Sequence, residues 1–439
     1  MKIFKKILFT ALALIICIAV YNYPKLNILA GYSAKSMASS VFIANRTVAY
    51  TDSTDNNFSP VNLASDTINF YKKTAISSAF GLLTRKALFR DGVGAVLLLE
   101  EDDKNIDFLK PTRLAKDTIT AFPFGNGKIK DTIFKNVNYT KIKSAVDKVF
   151  NNSETRAVVI VHKDHILIER YINGFNENSK FLGWSMTKSI MATVFGVLEC
   201  QNKIDVMQKA PIKSWQHDER KNISIHNLLQ MNCGLEWEED YETISDVTKM
   251  LFLERDMTKL PEEKKLIGPI NASWNYSSGT SNILSGILRN QFTTHQAYLD
   301  FWYTDFIDKI GMNSMVLETD LAGNYVASSY SWATARDWAK FGLLYLYKGN
   351  WNGTQIFKKS WVNYVAKPTP TSNGAYGAQF WLNAGGKFPN IPKNMFYADG
   401  YQGQRIYILP DQELVIVRFG LENFNENTFL EEIITNVKL

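Results

Sequence analysis

The chain has 439 residues, 46% of them hydrophobic and 13% aromatic, enough apolar material for one large core or two to three ordinary domains. Its 49 Lys and Arg against 43 Asp and Glu leave a formal charge of +6, part of it in Lys2, Lys5 and Lys6. That balance excludes the dense basic surface of a nucleic-acid binder, and the aromatic content excludes a disordered chain.

The opening "MKIFKKILFTALALIICIAV" sets a basic stretch ahead of an apolar run from Ile7 to Val20, the pattern of a secretory signal or a signal anchor. The following "YNYPKLN" has no small-x-small cleavage site. An uncleaved anchor over residues 7–23 is therefore expected, with membrane contact through residues 1–23. The rest of the chain would be extracytoplasmic, in a periplasm or at the cell surface. Three cysteines, Cys17, Cys200 and Cys233, make no disulfide framework. Cys200 and Cys233 read as small buried hydrophobes.

Residues 24–135 read as an N-terminal extension packed on a main domain, 136–439. In it "AYTDSTDNNFSPVN" looks like surface loop, and "FGLLTRKALFRDGVGAVLLLE" like a short helix leading into a strand. In "KNVNYTKIKSAVDKVF", Ile142, Val146 and Phe150 recur at helical spacing. "RAVVIVHKDHILIERY" predicts a hairpin turned at Lys163-Asp164. From Gly183 the positions Met186, Ile190, Met191, Val194, Val197 and Leu198 predict a buried helix. Residues from about 200 to 375 read as helix and loop, including a helix in "SWATARDWAKFGLLYLYKG" stopped by Gly349. "GQRIYILPDQELVIVRFG" predicts a hairpin turned by Pro410-Asp411, and "NTFLEEIITNVKL" a closing helix. The order of strands, helical middle, strands and helix predicts an α/β domain interrupted by an all-helical insertion.

"FLGWSMTKSIMATVFGVLEC" carries the chain's one S-x-x-K, Ser185 and Lys188, at the strand-to-helix transition. Residues three apart share a helix face, so the two side chains can meet. A serine hydroxyl is a weak nucleophile until a base takes its proton. Lysine serves only as the neutral amine, which needs burial or nearby positive charge to bring its pKa from about 10.4 toward about 7 or 8. The same four residues also fit an N-cap serine followed by a solvated lysine. The five histidines, His162, His165, His217, His226 and His295, accompany no G-x-S-x-G elbow, no H-E-x-x-H and no cysteine cluster. Neither a metal nor a cofactor is expected.

With Ser185 and Lys188 in place, the chain resembles the serine β-lactamase and penicillin-binding superfamily, and within it the class C-like esterases and 6-aminohexanoate-oligomer hydrolases. "WNYSSGTSNILSGIL" is similar to the second family element, with Tyr276, Ser278 and Gly279. "FYADGYQGQRIYILP" stands where Lys-Thr-Gly is usual, so Ala398-Asp399-Gly400 lacks the cation. "HNLLQMNCGLEW" and "TARDWAKFG" extend the likeness over about 135–437, and "SSVFIANR" and "TRKALFRDGVGAVL" resemble the extension of exported members.

The resemblance implies a β-lactamase-like fold of antiparallel sheet flanked by helices. It implies Ser185 as nucleophile, with Lys188 and Tyr276 as base and proton relay. Ser278, Gly400 and Tyr401 would line the oxyanion and substrate site, the N–H groups of Ser185 and Tyr401 holding the oxyanion. The expected substrate is a small ester or amide. The lost cation weakens a D-Ala peptidase or β-lactamase reading, and an inactive binding module on the same fold is the alternative of another class. Around "NAGGKFPNIPKNMFY", Trp381, Phe396, Tyr397 and Tyr401 are expected either to wall a pocket for an uncharged or amphiphilic substrate or to pack in the core.

Overall fold

The computed structural model describes residues 2–100, 103 and 108–438, without the side chains at 2, 3, 5, 11, 13, 15–19 and 21. It divides into two compact units. One holds residues 1–90, 94–106 and 238–255, and the other holds 91–93, 107–237 and 256–439.

The first unit is built on a long helix, α1 (Lys2–Phe42), and a four-stranded antiparallel meander: β1 (Ala64–Asn69), β2 (Thr74–Ala79), β3 (Leu83–Arg90) and β4 (Gly94–Leu98). Leu29, Ala30, Ser33, Ala34, Met37, Ala38 and Val41 form one buried stripe on α1, the three-four spacing of a helix laid on a sheet. The small side chains let it lie close to Ala75, Ala79 and Ala87, which are fully buried. The helix expected within "FGLLTRKALFRDGVGAVLLLE" is instead the hairpin β3–β4. Its Leu, Lys, Ala and Arg favour helix locally. Cross-strand pairing of Lys86 with Leu98 through Arg90 with Gly94 overrides that preference. The expected surface loop also contains a short helix, Val48–Ser53. Residues 238–255 complete this unit with a helix, Asp246–Leu253, whose Phe252 carbonyl accepts from Arg85 Nη2 at 3.0 Å.

Among the described residues no helix is long and apolar enough to cross a membrane. The expected anchor lies within α1, and the side chains at 11, 13, 15–19 and 21 fall outside those described.

In the second unit a six-stranded antiparallel sheet lies between helical layers. The elements that build the sheet, its covering layers and the site are, in chain order, α2 (Tyr139–Asn152), β5 (Thr155–His162), β6 (His165–Tyr171), β7 (Lys180–Leu182), α3 (Thr187–Cys200), α4 (Ser278–Arg289), β8 (Ser331–Thr334), α5 (Ala335–Leu346), β9 (Trp381–Leu382), β10 (Phe396–Gly400), β11 (Gln404–Leu409), β12 (Leu414–Gly420) and α6 (Glu426–Ile434). The strand order is β9-β10-β11-β12-β5-β6. Alternate residues serve opposite faces. Ala157, Val159, Val161, Ile406, Ile408, Val415 and Val417 join α3 and α5 in one core, while Val158, Ile160, Tyr407, Leu409, Leu414 and Ile416 join α2 and α6 in the other. Both faces being covered, β5 is buried along its whole length. The helical middle of the chain is interrupted by short strands, of which β8 pairs with β7.

Asp320 lies fully inside this unit, its carboxylate accepting from the Met257 and Asn324 backbone N–H groups, both at 2.9 Å. Burial, reinforced by the charge of Asp256, pushes it up to about 7. The unfolded chain releases this proton near pH 4, so between about pH 4 and 7 the folded state holds a proton the unfolded state has lost. Stability should fall across that window by on the order of a few kcal/mol and level off above it. Denaturant unfolding at pH 5 to 8 checks this. Asp256→Asn removes the neighbouring charge, and the decline should then end at lower pH.

Candidate active site

The turn from β7 into α3 presents Ser185. Trp184, just before it, has φ of +47°, a left-handed conformation that costs a bulky residue roughly 1–2 kcal/mol. Surrounding bonds hold it there. Gly183 N–H donates to Ser331 O at 2.7 Å and Met186 N–H to Gly183 O at 3.1 Å. Thr187 Oγ1 donates to Trp184 O at 2.7 Å. A Cβ on Gly183 would lie 2.5 Å from Trp338 Cζ2, so only glycine fits between the serine turn and α5.

One turn along α3, Lys188 is 2% exposed. Its Nζ donates to Ser185 Oγ at 3.1 Å, to Ser278 Oγ at 3.0 Å and to the Ser328 carbonyl at 2.9 Å. Those acceptors are two hydroxyls and a carbonyl. Tyr276 precedes α4, whose N-cap Ser277 accepts from Thr280 N–H at 3.0 Å, and its ring centroid is 4.9 Å from Lys188 Nζ. Tyr276 thus joins Ser185 and Lys188 from a distant segment of the chain. Ser278, expected at the oxyanion and substrate site, is fully buried at the start of α4, where its hydroxyl faces Lys188.

The third element approaches from the sheet. A Cβ on Gly400 would fall 2.2 Å from the carbonyl oxygen of Gly183, so glycine alone lets β10 run against the serine turn. Tyr401 follows it, 53% exposed, its ring 5.8 Å from that of Trp184. Ser185 and Tyr401 thereby flank the Gly183–Gly400 contact.

A family model described as Beta-lactamase matches residues 150–426, more than half of the chain. The chain belongs to the β-lactamase family. It is a serine hydrolase. Among its relatives, a 6-aminohexanoate-dimer hydrolase of Paenarthrobacter ureafaciens is 23% identical over 300 residues, 61% of this chain and 72% of the relative. The fold is similar to that of a penicillin-binding protein homologue from Caulobacter crescentus (TM-score 0.54, 12% identity, 70% of this chain and 98% of the other). It is equally similar to that of a family VIII carboxylesterase (TM-score 0.54, 15% identity, 71% and 99%).

Against this family background, the Ala398-Asp399-Gly400 triplet divides between the two faces of its strand. Ala398 is buried with the α3 core and offers only a methyl group. Asp399 Oδ1 accepts from Arg405 Nη1 at 2.8 Å, and Arg405 also grips both carboxylate oxygens of Glu426, at 2.9 and 3.1 Å. Burial, opposed by Arg405, raises the Asp399 carboxyl to about 6. Of the expected wall, Phe396 and Tyr397 are core residues on opposite faces of the sheet. Alternation along β10 requires this, so they are withdrawn as pocket lining. Trp381 remains half-buried, its ring 5.5 Å from Tyr276 and 6.0 Å from Trp274.

Three contributors had no motif to announce them: the Ser328 carbonyl, the strained Trp184 and Trp274. The histidine bonds lie elsewhere, His162 with Gln412 O, His226 with Tyr364 and His295 with Gly323 O. Cys233 is buried with its thiol pushed up to about 11 by desolvation, the inert hydrophobe expected, and Cys200 is half-buried.

Gly400→Ala should force β10 away from Gly183. We expect a stability loss of about 1–3 kcal/mol and a fall of about 100-fold in kcat from misplaced groups. Thermal unfolding and steady-state kinetics measure the two effects separately.

Proposed function

We propose that the chain cleaves a small uncharged or amphiphilic ester or amide through an acyl-enzyme on Ser185. The observation that carries this reading is the 3.1 Å bond between the buried Lys188 Nζ and Ser185 Oγ. In the neutral amine state Lys188 takes the hydroxyl proton as Oγ attacks the carbonyl carbon. The N–H groups of Ser185 and Tyr401 receive the oxyanion. Tyr276, against the amine, passes the proton on to the departing alcohol or amine, and water releases the acyl group by the reverse route. The aromatic surroundings of Trp184, Tyr401, Trp274 and Trp381 suit a substrate without charge, and Ala398 supplies no cation for a carboxylate. The amide substrate named for the Paenarthrobacter relative and the ester class named for the carboxylesterase are the two bond types we assign.

Intact-mass analysis after incubation with an ester, amide and penicillin panel tests the reading. A mass increase mapping to Ser185 with an ester or amide is expected. Stable acylation by penicillin alone would favour a cell-wall enzyme, and no adduct from any of them a binding module.

We further propose that residues 7–23 hold the chain at a membrane with residues beyond them outside the cytoplasm. Lys2, Lys5 and Lys6 before the apolar run support this, as do the exposed Phe4, Ile7, Leu8, Phe9, Leu12, Leu14 and Val20 on α1. Fractionation with added protease checks it.

A further inference from the structure

The first unit has an apolar tip that its own core does not use. The β2–β3 turn consists of Phe80, Gly81 and Leu82, closed by Leu82 N–H donating to Ala79 O at 3.0 Å. Phe80 has φ of +55° and Gly81 of +67°. Two consecutive left-handed residues make the tight hairpin turn that Asn-Gly forms with least strain. A phenylalanine in its first position is costly, and in water the cost brings no burial: Phe80 is 59% exposed and Leu82 67%. Leu63, leading into β1 at the same sheet end, is 50% exposed.

The position of this tip along α1 identifies what it meets. Leu26, Leu29 and Ala30 of α1 pack with Ala64, Ala79 and Leu83, the strand ends from which the tip projects. At the opposite sheet end, Phe42 stacks on Phe89 at 5.5 Å. The tip therefore points along α1 toward its N-terminal half, where Val20 and Tyr23 are exposed. Neither 20–30, 61–64 nor 79–84 contains an Asp or Glu, and Lys25 lies among them. Residues 7–23 rise about 26 Å as helix, short of the roughly 30 Å of a hydrocarbon core. Such a mismatch draws the flanking residues toward the bilayer.

We infer that Leu63, Phe80 and Leu82 form a collar that embeds in the interfacial layer of a lipid bilayer beside the entry point of α1, a reading that rests on the membrane placement proposed above. The amphiphilic headgroup region accepts exposed aromatic and aliphatic tips bordered by lysine. Embedding supplies the burial that the strained turn lacks in solution.

The test uses the full chain with vesicles of phosphatidylcholine and phosphatidylglycerol at 3:1. An environment-sensitive NBD fluorophore is attached at Leu82→Cys, and in a separate protein at Tyr71→Cys, with Cys17 and Cys200 changed to serine. Tyr71 is 95% exposed in the β1–β2 turn at the other sheet end. Flotation of the chain with a several-fold, blue-shifted gain at position 82 and none at 71 is the expected result. Flotation without a gain at 82 overturns the collar and leaves the membrane placement standing, whereas failure to float removes both. Equal gains at the two positions, or a gain at 82 that rises with protein concentration in the absence of vesicles, also overturn the inference, the latter assigning the tip to a second copy of the chain. Phe80→Asn with Leu82→Ser suits the turn better and should fold, so loss of bilayer protection against hydrogen exchange at 79–83 in that variant reports on contact and not on unfolding.

Discussion

Ser185→Ala should abolish covalent labelling by a fluorophosphonate probe and lower kcat/KM on an ester or amide by at least about 1,000-fold. On the proposed mechanism, removing Ser185 removes the acyl-enzyme route, leaving only what the oxyanion donors and substrate binding contribute. The fold should survive. Ser185 is half-buried, and losing one acceptor of Lys188 costs about 1 kcal/mol. Gel-based labelling, steady-state kinetics and thermal unfolding on the same preparation separate the outcomes. Full-stoichiometry labelling of the alanine variant would refute the assignment of Ser185.

Lys188→Met is the companion experiment. Methionine has a similar length and suits the surrounding core, so packing is largely kept, but the amine proposed to take the Ser185 proton is gone. The expected loss in kcat/KM is roughly 100- to 10,000-fold, the range for a general base. Ser278 Oγ and Ser328 O lose a donor, adding a stability cost of about 1–3 kcal/mol. A variant retaining the wild-type rate would move the base to another residue.

Much of the spatial grouping at this candidate site was legible because its residues lie on short contiguous strings. Ser185 with Lys188, Tyr276 with Ser278, and Gly400 with Tyr401 are each set by the local turn that holds them. The hairpins β5–β6 and β11–β12 could be read for the same reason, since β-branched runs around a turn encode their own pairing. What escaped depends on partners distant in the chain. The Ser328 carbonyl is a backbone atom in a segment without a motif. The burial of Ser278 follows from α4 meeting α3. Phe396 and Tyr397 are adjacent in a strand, so both could not have faced one pocket. The β3 segment has helix-forming residues and becomes a strand because β2 and β4 lie on either side of it.

The excursion of residues 238–255 into the first unit also orders events during synthesis. Val247, Met250, Leu251 and Phe252 are buried there, so the unit that begins at the N-terminus stays incomplete until residue 255 has left the ribosome. By then a long stretch belonging to the second unit, 107–237, has already emerged. Domains generally mature from the N-terminus as they are made, but here the earliest-made piece must wait for a later one. A genetic cut near residue 106 would accordingly give two fragments, the first short of a helix and the second carrying that helix with its apolar residues uncovered.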